Sequence, residues 1–235
     1  MVTGLFRNAG FFMGERLYQP RHSNLLGFFE DPEVNGINEA ILRPMAPGRF
    51  YHGGVVYGAD SPEQGQLWLA RLPLDAEIEG DENIRLHIRR LIQRTPFCYK
   101  DPRFCYTLHL WRREVSNVRY LCVFRDPREV VASILKEVQN ALYLFNFAIS
   151  VEQAFAVWRL MYQHVLDRHA NEGDWLFLYY DDLFCPETLD KVETFAGIPI
   201  DRSFPNPTLK RSVAGLSIDS DTAAIFDELM ARAAR

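Results

Sequence analysis

Val118-Arg-Tyr-Leu-Cys-Val-Phe124, followed at once by Arg125-Asp126-Pro127 and Arg-Glu-Val-Val-Ala-Ser133, decides the fold class. The seven-residue run is β-branched, aromatic and mostly apolar on both faces, the pattern of a strand buried in a parallel sheet. It stops at Arg125. Asp126 offers an oxygen to free N–H groups and Pro127 suits the first helical position, so a helix is predicted with Val130, Val131, Ile134, Leu135 and Val138 as its stripe. Downstream, Val151 to His169 reads as a long amphipathic helix carrying Phe155, Trp158, Tyr162, Val165 and Leu166. Trp175 to Tyr180 reads as a second buried strand, Pro186 to Phe195 as a helix, and about Ser220 to Ala234 as the last helix. Upstream, Pro96 to Tyr99 is a short predicted strand ending at Lys100-Asp101-Pro102, with an apolar helix following through Trp111. Further helices are predicted over Thr3 to Met13 with Gly14 as its stop, from Asp31-Pro32 to about Leu42, and over Glu82 to Gln93. Pro44 to Gly54 reads as loop, with Tyr51, Val55, Val56 and Tyr57 as a short extended piece. Strands alternating with helices at this spacing predict an α/β domain with a parallel sheet.

The chain has 235 residues and 48% of them are hydrophobic, enough for a single domain over residues 1–235 with one sizeable core. A formal charge of -5 and a pI near 5.7 speak against a nucleic-acid partner, whose phosphates require clustered Lys and Arg. Any anion site must then be a local pocket. The opening residues lack the basic start and long apolar centre of a signal peptide, and no stretch reads as a membrane span, so a cytoplasmic protein is expected. Cys98, Cys105, Cys122 and Cys185 form no C-x-x-C pair and have no His at metal-ligand spacing, which predicts reduced structural thiols and no metal.

Ligands of open α/β sheets bind at the carboxyl ends of strands, where helix N-termini point outward. Arg125 stands at such a junction, and Ser133 follows two helical turns later. Two readings stand for this pair. Arg125 forks onto a phosphate with Ser133 adding a hydroxyl, or Arg125 pairs with a carboxylate and Ser133 is a small packing residue. Arg85, Arg89 and Arg90 read as the solvated face of their helix.

Phe124-Arg-Asp-Pro-Arg-Glu-Val-Val-Ala-Ser133 resembles the 3′-phosphate-binding motif of sulfotransferases that use 3′-phosphoadenosine 5′-phosphosulfate (PAPS). Gly27-Phe-Phe-Glu-Asp-Pro32, Lys100-Asp-Pro-Arg-Phe104, Tyr179-Tyr-Asp-Asp-Leu183 and Phe195-Ala-Gly-Ile-Pro199 resemble further segments of the bacterial branch, and together they span nearly the whole chain. The resemblance implies a P-loop-NTPase-like three-layer sandwich with a parallel sheet. It also implies PAPS as cosubstrate, with Arg125 and Ser133 on its 3′-phosphate and Arg211, in Lys210-Arg211-Ser212, closing over the nucleotide. The acceptor would be a small molecule or glycan bearing a hydroxyl or amine. His22 and Glu30 fall in the loop that the resemblance places near that acceptor. Either is a general base, or both are surface polar residues with Glu30 supporting Asp31. Lys100 either steadies the leaving phosphate or pairs with Asp101.

The family carries a first strand and a P-R-S-G-T loop for the 5′-phosphosulfate, and Met1-Val2-Thr3 aligns just after such a loop. The expectation is therefore a chain apparently missing that strand and loop, poor in turnover as written. A missing strand leaves unpaired sheet edges and a route to a homo-oligomer. A nucleotide-binding remnant without turnover is the second expectation. A nucleoside-phosphate kinase is disfavoured, since no G-K-[ST] is present.

Overall fold

The structure, a computed structural model, describes residues 2–21, 24–209 and 215–235. In chain order its elements are helix α1 (Val2–Leu5), α2 (Pro32–Leu42), strands β1 (Phe50–His52) and β2 (Val55–Tyr57), α3 (Glu82–Ile92), α4 (Phe104–Arg112), β3 (Arg119–Phe124), α5 (Pro127–Asn140), α6 (Val151–His164), β4 (Asp174–Tyr179), α7 (Pro186–Ala196) and α8 (Ser220–Ala233). The chain is thus α/β, with a parallel sheet of two strands. β3 and β4 run in register from Arg119 opposite Asp174 to Phe124 opposite Tyr179.

Alternation along these two strands sorts their side chains onto two faces. Cys122, Phe124 and Phe177 enter one core, with Tyr106 and Trp111 of α4, Trp158 of α6 and Leu229 of α8. Leu121, Val123, Leu176 and Leu178 enter another, with Leu5 of α1 and Leu189 and Val192 of α7. Helices therefore cover both faces of the strand pair. A third cluster joins α5 to α6 through Val131, Ile134, Ala154 and Phe155.

The caps read at Asp31 and Asp126 act as expected, and the structure adds one at Ser150. Asp31 accepts from Glu33 N at 2.7 Å, Asp126 from Arg128 N at 2.9 Å, and Ser150 forms a reciprocal capping box with Gln153 at the start of α6. The N-terminal reading needs correction. Regular helix ends at Leu5, and residues 6–10 are turns. Gly14 is required for another reason: its φ is +134°, and a Cβ there would lie 2.2 Å from the Asp31 carboxylate. The expected strand at Pro96 to Tyr99 reduces to one bridge, Phe12 beside Phe97. The extended piece near Tyr57 is a hairpin, β1 pairing antiparallel with β2 across Gly53-Gly54, whose φ values of +59° and +78° suit a tight two-residue turn. α6 continues into a π-helical turn over Val165–His169.

Candidate functional site

Arg125 leaves β3 at its carboxyl end, beside the carboxyl end of β4. Its Nη2 donates to Glu129 Oε2 at 2.8 Å, one turn along α5, and its guanidinium lies 4.6 Å from the centre of the Tyr180 ring. Among the described residues its buried Nε–H has no partner. Asp126 caps α5 and pairs with Arg128, which holds the Asp126 carboxyl below its ordinary range. Tyr179 bonds to Asp181; burial and that carboxylate push its hydroxyl up to about 12. Ser133 is exposed on α5, two turns beyond Arg125, so it is not a packing residue. Glu129 stands between Arg125 and Ser133, one turn from each. The carboxylate pairing expected as one of two alternatives is therefore present, with Glu129 engaging only Nη2 of Arg125.

The second constellation surrounds Glu30, just before α2. One Glu30 oxygen accepts from Lys100 and the other from Asn35 Nδ2 at 2.9 Å. Lys100 is not paired with Asp101, because the Lys-Asp-Pro-Arg turn divides its charges by depth. Lys100 points outward to Glu30, whereas Asp101 and Arg103 point into the core. There Arg103 Nη1 meets Asp101 at 2.9 Å and Arg103 Nε meets Glu39 at 2.6 Å. Asn38 donates to Asp101 at 3.0 Å and accepts from Thr107 and Trp111 at 2.8 and 2.9 Å. Burial raises the Asp101 carboxyl above its usual range even beside Arg103.

Tyr18 and Tyr143 complete the surroundings of Glu30. Burial raises the Tyr18 hydroxyl, with Arg103, Glu30 and Asp101 within electrostatic reach. Burial and Glu137 push Tyr143 up to about 12, with Arg21 and Glu30 also in range. Tyr143 follows the C-terminus of α5 and Arg125 precedes its N-terminus. The fourteen residues of α5, roughly 20 Å at about 1.5 Å per residue, therefore lie between Arg125 and Tyr143.

Of the residues singled out in the sequence, Arg125 precedes the N-terminus of α5, Ser133 lies at its middle, and Glu30 is within electrostatic reach of Tyr143 beyond its C-terminus. His22 and Arg211 lie outside the described residues. The sequence reading missed Glu129, Tyr180 and Asn35 as partners. Glu129 was discoverable from its i,i+4 spacing to Arg125, whereas Tyr180 depends on the strand register. Among the described residues no group of three or more His, Cys, Asp or Glu is placed to hold a metal ion, and no helix is long and apolar enough to cross a membrane.

Comparison with protein-family models, with curated proteins and with solved structures found no match to this chain.

Proposed function

We propose that this chain is a PAPS-dependent sulfotransferase of P-loop-like architecture, binding adenosine 3′,5′-bisphosphate at the carboxyl end of β3. One observation carries the reading. Arg125 is held by Glu129 and the Tyr180 ring at a strand-to-helix junction, yet among the described residues its buried Nε–H has no partner. A buried donor left unpaired is costly, and a phosphate oxygen is a fitting acceptor.

In this reading Arg125 and Ser133 hold the 3′-phosphate and the Tyr180 ring backs the guanidinium. Glu30 takes the proton of the acceptor hydroxyl, and Lys100 faces the charge that develops during transfer. PAPS supplies the sulfuryl group, which moves to the acceptor oxygen as its bond to the 5′-phosphate oxygen breaks and adenosine 3′,5′-bisphosphate leaves. A second reading, nucleotide binding without turnover, draws support from Glu30 itself, since Lys100 and Asn35 already engage both its oxygens.

The test is thermal unfolding against adenosine 3′,5′-bisphosphate. Ligand linkage raises the melting temperature with nucleotide concentration, and Arg125→Ala removes most of that rise, since a charged hydrogen-bonded contact contributes about 1.5–3 kcal/mol. An unchanged rise in the variant rejects Arg125 as the phosphate ligand.

A further inference from the structure

Three stretches, residues 16–29, 40–59 and 138–151, contain no Asp or Glu in a chain that carries 31 of them and a net charge of -5. Their fixed charges are all positive: Arg16, Arg21, Arg43 and Arg49. The fold gathers these stretches. Arg49 Nη1 donates to the Asn146 carbonyl at 2.9 Å, and its guanidinium lies 5.7 Å from the Phe147 ring centre, fastening the β1–β2 hairpin to the segment after α5. Ala148 N donates to Ala59 O at 2.8 Å beyond the hairpin. The Arg21 guanidinium lies 6.0 Å from the Tyr143 ring centre, which brings in the first stretch.

Among the described residues, every exposed large hydrophobic side chain except Leu86 belongs to these three stretches. Leu142 is 92% and Phe145 76% exposed, and Leu25, Phe50 and Tyr51 each exceed half. Scattered apolar residues on a surface need no explanation, but their confinement to three acid-free stretches of an acidic protein does; Glu30 and Glu137 stand at the edge of the face near Tyr143, and Glu63 pairs with Arg49 at 3.2 Å. The hairpin is exposed along nearly its whole length, and such a ribbon is marginal by itself in water.

We propose that this face docks the protein on an anionic phospholipid bilayer. Leu142 and Phe145 enter the boundary of the acyl chains, the tyrosines sit at headgroup depth, and Arg21 and Arg43 meet lipid phosphates. A second copy of the chain fits less well, because two-fold pairing sets the same cationic rim against itself. The proposal is independent of the nucleotide site, whose titration reports on a different end of α5.

Sedimentation with vesicles tests it. The full chain is expected to bind vesicles of phosphatidylcholine mixed with phosphatidylserine, to bind pure phosphatidylcholine far less, and to release as salt is raised. The double variant Leu142→Ser/Phe145→Ser loses binding by about tenfold or more while melting as the parent does, since both side chains are exposed. Arg21→Gln and Arg43→Gln each weaken binding about fivefold. Absence of binding to the mixed vesicles at low salt overturns the proposal, as does undiminished binding by the serine variant. Self-association in sedimentation velocity that the serine variant abolishes, without vesicle binding, assigns the face to a second copy instead.

Discussion

Replacing Arg103 by Met isolates the buried charge network that fixes the Lys-Asp-Pro-Arg turn. The Arg103 side chain is 4% exposed, and its partners Asp101 and Glu39 are 0% and 7% exposed. Removing one member of such a network leaves carboxylates buried without their counterion, which typically costs about 3–5 kcal/mol. The lower end applies here. Asp101 keeps Asn38 Nδ2 at 3.0 Å and the residue-103 amide at 2.8 Å, and Glu39 keeps the amides of Gly65 and Leu67 at 2.7 and 3.1 Å. A loss of about 3 kcal/mol corresponds to a fall of roughly 10 °C in melting temperature for a chain of this size. The deficit also carries a pH signature. Burial already raises Asp101, and Arg103 opposes the rise, so the variant's Asp101 titrates higher still. A carboxyl with a folded pKa above its unfolded value binds protons more readily when folded, and acidification favours the folded state through that group. Urea unfolding of parent and variant from about pH 8 down to about pH 5 should show the gap narrowing as pH falls. A gap below about 1 kcal/mol at neutral pH, or one that does not change with pH, would refute the reasoning that links burial to charge pairing here.

Two more outcomes follow from the geometry. Glu129→Gln frees Arg125 of its competing carboxylate and should tighten binding of adenosine 3′,5′-bisphosphate severalfold by calorimetry, whereas weaker binding would mean that Glu129 positions Arg125. Burial pushes His169 down to about 4 from 6.5, and among the described residues its buried Nδ1 has no partner; the unfolded chain therefore takes up this proton first, and the stability is complete above about pH 6.5 and lost as pH falls toward 4. The shift amounts to about 3 kcal/mol, and His169→Gln, which can still donate to the Cys105 carbonyl, should flatten the acid limb of urea unfolding; an unchanged limb removes His169 as its cause.

What the sequence discloses depends on how local the cause is. The junction at Phe124 and Pro127 is legible because strand pattern, cap and proline all act within a few residues, whereas the equally local Ser150–Gln153 cap went unread. The N-terminal helix misled because apolar spacing outweighed Gly4, Asn8 and Gly10, residues that shorten a helix unless tertiary packing sustains it. The β1–β2 hairpin has strands of only three residues, nearly all exposed, so its residues read as one short extended piece beside a loop and not as two paired strands. Lys100, Asp101 and Arg103 read as one charged turn in sequence. Which of them faces the core is set by Asn38 and Glu39 on α2, more than sixty residues away, and no periodicity reaches that far. The lipid-facing surface lies between these cases. Its signal is a missing residue type, acid, across three stretches that look unrelated until Arg49 and Arg21 tie them together. A surface made from distant segments requires each segment to meet the same solvent, so a compositional bias shared by all three is the trace that one environment leaves on the sequence.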